Sequence, residues 1–248
     1  MDRAYDGRCG NDNDIDDEIF EMEEIMSDIV HFLTNEDHAP VVLYITNENF
    51  EFQGDAVCES VKRMTGISFD FCELPVANWD DCLTPWAADP KMKGRSFTGG
   101  GKHLLEMIGK KVIPLIDEKL PDHREIYIAG YSLAGLFSLW TLYECDWFDG
   151  AVCCSGSLWY PGWSEYVEKA FLKKRSDVYL SLGRKEPHTK HPLMKKSGEM
   201  IKLQYEHLMK EPHAGKIVFE WQEGGHFDHV LDRIAKGIRW ILTESRQR

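Results

Sequence analysis

Positive charge is scarce in this 248-residue chain, in which 29 Lys and Arg stand against 42 Asp and Glu, for a formal net charge of −13. Nucleic-acid backbones and anionic membrane surfaces are bound by basic faces, so neither is expected as a partner. The acidity is concentrated in residues 1–38, which hold thirteen Asp and Glu against Arg3 and Arg8. The rest of the chain is close to balanced, and the acidic leader is best explained as a solubilising or dispensable arm.

Paired cysteines are also missing, since the seven cysteines form no CxxC motif and their number is odd. The first residues lack the basic segment and apolar stretch of a secretory signal. Reduced thiols in a cytoplasmic protein are therefore expected. The adjacent Cys153 and Cys154 would point to opposite faces of a strand, which favours packing over a disulfide.

Metal and nucleotide motifs are absent as well. The pairs His188 with His191 and His226 with His229 lack a third ligand at a recognised zinc spacing, and there is no HExxH. No P-loop or GxGxxG sequence follows a predicted strand. We therefore expect no metal and no cofactor.

Only one stretch, residues 126–143, is free of charge over 18 residues, which approaches the length of a membrane span. Gly130, Ser132, Gly135 and Ser138 interrupt it, and its first part favours a strand. A buried strand, a tight turn and a buried helix explain it better, so no membrane segment is expected.

The apolar pattern divides the chain into two parts. Residues 1–38 are a leader with one helix, whose apolar stripe runs from Ile15 to Leu33 at spacings of three and four. Residues 39–248 form a single α/β domain, in which strands and helices alternate around a mostly parallel sheet with helices on both faces. Strands are predicted at 41–46, 67–74, 125–129, 150–154, 178–182 and 216–221. Helices are predicted at 55–64, 102–120 with a kink at Pro114, 133–144, 164–172, 196–210 and near the C-terminus.

The most informative segment is Gly-Tyr-Ser-Leu-Ala at 130–134, which lies between a buried strand and an apolar helix. Small residues on both sides of Ser132 allow the sharp turn of a nucleophile elbow, with Ala134 in its last position. The alternative is a turn ending in a helix-capping serine. An elbow also directs the Leu133 amide towards an oxyanion, and Asn47, after the first long strand, is the second candidate donor.

A nucleophilic serine needs a base and an acid at the carboxyl ends of other strands. Of ten histidines only His226 directly follows a predicted strand, after two glycines that let the chain turn. Glu186 follows strand 178–182 and lies between Ser132 and His226 in sequence, so it is the candidate acid that orients the imidazole. The alternatives are a surface-loop histidine and a solvated loop carboxylate.

With these residues in place, the chain resembles the α/β-hydrolases of the broad putative-esterase group that includes the enterochelin-type siderophore esterases. The resemblance covers roughly residues 40–242 and is carried by GYSLAGLFSLW at 130–140, SGSLWY at 155–160, SLGRKE at 181–186, Gly225-His226, NWDD at 78–81 and TPW at 84–86. It implies an α/β-hydrolase fold with the triad Ser132, Glu186 and His226. Two departures are Ala134, where many members have Gly, and Asn47-Glu48, where they have a His-Gly pair.

The long segment 75–100 would then lie over the site, since such loops are usually functional. Trp79, Asp81, Trp86, Trp159 and Tyr160 are the candidate substrate-binding residues. The equally weighted alternative is that the aromatic side chains only pack the loop against the domain.

The hypothesis is a cytoplasmic serine esterase that acts on a small-molecule ester through an acyl-enzyme. Acyl transfer by the same residues, or a non-catalytic binding member of the fold, are the alternatives. The ester itself and a possible homo-oligomer are left open by the sequence.

Overall fold

The computed structural model describes residues 30–36, 38–47 and 54–245, and within these ranges one sheet of seven strands organises the chain. The strands are β1 (His31–Phe32), β2 (Val41–Thr46), β3 (Asp70–Pro75), β4 (Ile126–Tyr131), β5 (Gly150–Cys154), β6 (Ser176–Gly183) and β7 (Ala214–Gln222). Their order is β1-β3-β2-β4-β5-β6-β7, and all neighbours are parallel except β1 and β3. This is the mostly parallel α/β sheet that the alternating pattern predicts.

Helices connect the strands. They are α1 (Gly54–Met64), α2 (Trp79–Cys82), α3 (Gly101–Met107), α4 (Ile113–Lys119), α5 (Leu133–Glu144), α6 (Trp163–Val167), α7 (Ser197–Leu208) and α8 (Val230–Thr243). A π-helical turn, Ile108–Val112, joins α3 to α4. None of the helices in the described part of the chain has the length and apolar character to cross a bilayer.

The core lies on both faces of the sheet. Every residue of β2, β4 and β5 is buried, as expected for parallel strands covered on both sides. Cys153 belongs to the apolar cluster on one face and Cys154 to the cluster on the other, which confirms their opposite orientation. Both are free thiols.

One prediction about the first helix needs correction. Residues 1–29, which hold most of the leader and the start of its predicted helix, lie outside the described residues. The predicted helix does not extend to Leu33, because His31 and Phe32 form a strand opposite Glu73 and Cys72, so the sheet begins before residue 39. In the 102–120 segment the helix is interrupted by a π-helical turn, and Pro114 lies in the first turn of α4 directly after it.

The sheet also determines where reactive groups meet. The carboxyl ends of β2, β4, β6 and β7 lie at one edge, and Asn47, Ser132, Glu186 and His226 all follow those ends. Ligands of open α/β sheets bind in the crevice outside this edge.

Candidate active site

Ser132 occupies the sharp turn between β4 and α5. Its backbone angles, φ 60° and ψ −119°, are strained for a residue with a side chain. The turn is possible because its neighbours are small: a Cβ on Gly130 would lie 2.4 Å from the carbonyl of Ala134. The segment after β5 holds the turn, since the Ser132 N–H donates to the Cys154 carbonyl at 3.0 Å and the Ser157 N–H donates to the Ser132 carbonyl at 3.0 Å.

His226 follows β7 and reaches the serine. Its Nε2 lies 3.0 Å from Ser132 Oγ, and its Nδ1 lies 2.8 Å from Glu186 Oε2. The backbone of His226 is fixed too, because the Tyr131 hydroxyl donates to its carbonyl at 2.8 Å. The three side chains thus form one continuous line of hydrogen bonds.

The Glu186 carboxylate is almost fully enclosed, with 6% of its side chain exposed. Its second oxygen, Oε1, accepts hydrogen bonds from the Gly183 N–H and the Ser155 hydroxyl, both at 2.7 Å. Burial pushes the pKa of Glu186 upwards, but the hydrogen bonds and charge of His226, with the Ser155 and Gly183 donors, outweigh burial and hold this pKa below its ordinary value. The carboxylate is therefore ionised at neutral pH.

The two candidate oxyanion donors border the same cavity as Ser132. Leu133 is the first residue of α5, where main-chain N–H groups have no acceptor within the helix. Asn47 directly follows β2 and lines the cavity with Ser132 and Leu133. Their role as oxyanion donors stays a prediction.

A cavity of about 1100 Å³ opens above these groups. One wall comes from the segment 75–100, which contributes residues 77–81 and 95–98. Of the candidate substrate-binding residues, Trp79, Asp81 and Trp159 line the cavity. Arg95 lines it as well and pairs with Asp80, with Arg95 Nε 2.6 Å from Asp80 Oδ2.

Trp86 and Tyr160, the other two candidate substrate-binding residues, are not among the residues that line the cavity. The Trp86 indole donates to the Pro161 carbonyl at 2.8 Å, and the Tyr160 hydroxyl donates to the Trp86 carbonyl at 2.5 Å. The two rings pack against each other, with centroids 5.8 Å apart, and Trp86 stacks on Trp163. These residues hold the loop to the domain, which was the alternative interpretation.

Sequence reasoning missed several residues around Glu186 and His226. Ser155, Tyr131 and Arg233 all contact this pair, and Ser157 Oγ lies 3.5 Å from Ser132 Oγ. The sequence does hold a signal for Arg233, which is its spacing along the last helix. Arg233 lies three residues after Val230 and four before Gly237, on the buried side of α8. A charged residue within such an apolar stripe indicates a buried polar partner.

The α/β-hydrolase fold places a strained serine between a parallel strand and a helix. An acid and a histidine follow in the chain, each after a later strand, as they do here. The protein is an α/β-hydrolase, and comparison with known families shows which kind. The family model described as "Putative esterase" matches residues 78–229, which include Ser132, Glu186 and His226. The chain belongs to this family of ester-cleaving serine hydrolases.

Two solved structures share the fold. One is siderophore hydrolase EstA from Aspergillus nidulans, at 17% identity and a TM-score of 0.70 over 87% of this chain and 89% of that one. The other is an IroE-like serine hydrolase from Shewanella oneidensis, at 16% identity and a TM-score of 0.72 over 86% and 75%. In sequence, the chain is similar to the uncharacterized protein YbbA of Bacillus subtilis strain 168, at 26% identity over 175 residues, which are 67% of this chain and 70% of that one.

Proposed function

We propose that the protein hydrolyses carboxylic esters with Ser132 as the nucleophile, His226 as the general base and Glu186 as the residue that orients His226. The observation that carries the proposal is the hydrogen-bonded line from Ser132 Oγ to His226 Nε2 at 3.0 Å and from His226 Nδ1 to Glu186 Oε2 at 2.8 Å. These distances are within the range that a general base needs for proton transfer.

In the first half of the proposed reaction, Ser132 Oγ attacks the ester carbonyl while its proton passes to His226 Nε2. The carbonyl oxygen becomes an oxyanion, which the main-chain N–H groups of Leu133 and Asn47 stabilise. The C–O bond to the alcohol then breaks, and the imidazolium returns the proton to the leaving alkoxide. Glu186 stabilises the imidazolium and fixes its tautomer without itself taking the proton.

In the second half, water attacks the acyl-enzyme, again losing a proton to His226 Nε2. The bond between the acyl carbon and Ser132 Oγ breaks, and the serine regains its proton. The products are a carboxylic acid and the free enzyme. The chemistry of this cycle uses only side-chain and main-chain groups of the chain.

The proposed substrate is a bulky ester with aromatic parts, and siderophore esters are the leading class. A cavity of about 1100 Å³ has room for far more than a short acyl chain. Trp79, Phe97 and Trp159 supply ring surfaces. Charged groups of both signs, Arg95 and Lys185 with Asp80 and Asp81, border the cavity as well. The named activity of EstA, a siderophore hydrolase, is consistent with this choice.

We further propose a cytoplasmic location. The six cysteines of the described residues are free thiols, and burial raises the pKa of Cys58 and Cys145 to about 11, which keeps both protonated. Free cysteines are typical of a reducing compartment.

The experiment is a series of p-nitrophenyl esters of increasing acyl size, assayed with the wild type and with Ser132→Ala. The wild type is expected to hydrolyse the series with the highest kcat/KM for bulky aryl acyl groups, because these fill the cavity. Ser132→Ala should lose at least about 10⁴-fold in kcat. Equal rates for both proteins, or no hydrolysis by the wild type, would refute the proposal.

A further inference from the structure

Arg233 is a buried cation that lies behind the proposed triad. It bonds to Glu186 but does not contact Ser132 and does not line the cavity. It lies on α8, and 2% of the residue is exposed. A guanidinium in such a position is costly unless buried acceptors satisfy it. Its partners therefore indicate what the residue is for.

The guanidinium bonds to all three chain segments that carry the proposed triad. Nη1 donates to the Tyr131 hydroxyl at 2.9 Å, and Tyr131 directly precedes Ser132. The same nitrogen lies 3.2 Å from Glu186 Oε1. Nη2 donates to the carbonyl of Glu223 at 2.5 Å, three residues before His226.

Two of these contacts continue to the reacting groups. Tyr131, which accepts from Arg233, donates its own proton to the His226 carbonyl at 2.8 Å. Ser155, which lies 3.2 Å from Arg233 Nη1, donates to Glu186 Oε1 at 2.7 Å. Arg233 and Ser155 thus engage one carboxylate oxygen, and the other oxygen is left for His226.

We propose that Arg233 is a positioning residue whose charge and forked donors aim Glu186 and the His226 loop at Ser132. The inference rests on the proposed function. A positive charge beside the carboxylate weakens the attraction of Glu186 for a second cation on its other oxygen.

Other ionisable groups surround the pair. Tyr131 comes from β4, Lys185 from the loop after β6, and Glu223 and Asp228 from the segment after β7. Asp228 accepts from the Gly225 N–H at 2.7 Å, and Glu223 pairs with Arg184. Within the described residues, Arg233 is the only cation bonded to the Glu186 carboxylate besides His226 in its protonated form.

The test compares Arg233→Gln, which removes the charge but keeps a donor, with Arg233→Lys, which keeps the charge but loses the planar fork. The assay is kcat and kcat/KM for p-nitrophenyl acetate against pH, with Tm measured in parallel. Lys236→Met is the matched control, since Lys236 lies on the same helix and pairs with Glu220 on its exposed side. It should retain the wild-type profile.

For Arg233→Gln we expect the acid limb of the profile to move up by about one pH unit, as for loss of a neighbouring charge, with kcat reduced about 100-fold. For Arg233→Lys the acid limb should stay at the wild-type position, with kcat reduced about tenfold because the aim of Glu186 is poorer. A purely structural role would lower Tm in both variants without moving the acid limb of either.

An unchanged acid limb in Arg233→Gln would overturn the proposal. If that variant does not fold, Arg233→Lys decides, because a shifted acid limb or an unchanged kcat in this charged variant would contradict it. Labelling by a fluorophosphonate distinguishes a failure of the proposed function from a failure of the Arg233 proposal. A wild type that does not label refutes the proposed function. A wild type that labels, together with either contradicting variant result, refutes only the role of Arg233.

Discussion

The floor of the cavity and its outer wall are held in place by different interactions. On the floor, Ser132, Glu186 and His226 directly follow strands β4, β6 and β7 or stand a few residues beyond them. Each is fixed by hydrogen bonds to buried main-chain or side-chain groups. The geometry of the floor is therefore set by the sheet.

The wall is an irregular segment, 75–100, in which only α2 and a single bridge between Ala88 and Phe97 are regular. Aromatic packing around Trp86 and the partly exposed ion pair of Arg95 with Asp80 hold it. The pair is bidentate, which is the geometry in which an ion pair near the surface contributes to stability. We propose that the floor determines the reaction and that the wall determines which ester enters.

The largest effect is expected on the floor. His226→Gln should reduce kcat by about 10⁴-fold or more, because in the described part of the chain His226 is the only base hydrogen-bonded to Ser132 Oγ. Steady-state hydrolysis of p-nitrophenyl acetate measures it. His229→Asn is the control: His229 is exposed, and its positive φ is one that Asn tolerates. A His229 variant as impaired as the His226 variant would contradict the assignment.

The acid of the floor comes next. Glu186→Gln keeps the shape of the side chain but removes the charge that stabilises the imidazolium, so kcat should fall about 10³-fold with KM changed less than about threefold. The same assay measures both constants. A variant with full turnover would show that Glu186 is a structural residue only.

On the wall, substitutions of two tryptophans distinguish a role in substrate binding from a role in packing. Trp159→Phe should raise KM for a bulky aryl ester by about five- to tenfold while leaving kcat for p-nitrophenyl acetate within about twofold, because Trp159 lines the cavity. Trp86→Phe loses the hydrogen bond to Pro161 and should lower the free energy of unfolding by about 1–2 kcal/mol with KM unchanged. Denaturant unfolding and steady-state kinetics on both variants measure these effects. A raised KM in Trp86→Phe and an unchanged KM in Trp159→Phe would contradict the assignment of binding to Trp159 and packing to Trp86.

The smallest effect concerns acid stability. Because the folded-state pKa of Glu186 lies below its ordinary value, its ionisation contributes stability above the ordinary carboxyl pKa, and this contribution is lost as the pH falls through the lowered value. The Tm advantage of the wild type over Glu186→Gln should therefore narrow as the pH is lowered from about 6 to about 3. An advantage that stays constant over this range would contradict the lowered pKa.

The floor was more accessible to sequence analysis than the wall. Ser132, Glu186 and His226 each follow a strand that apolar runs and glycines predict, and strand ends in a parallel sheet share one edge. Whether Trp86 and Tyr160 would line the cavity could not be predicted, because an irregular loop has no period from which the direction of a side chain can be inferred. Arg233 was missed because its partners lie 10 to 102 residues away, and only the fold brings them together.

The edge strand β1 shows a different limit of prediction from local sequence pattern. His31 and Phe32 lie between Ile29 and Leu33, the last two members of an apolar stripe that has helical spacing, and local pattern alone favours a helix there. Pairing with β3 prevails, since tertiary contacts override weak propensities at the end of an element.

The central claim is that Ser132 is the residue that becomes acylated. Its most direct test is to react the wild type with a fluorophosphonate and to map the added mass to a peptide. We predict one adduct per chain, located on Ser132, and none in Ser132→Ala. An adduct on another residue, or equal labelling of the two proteins, would contradict the account.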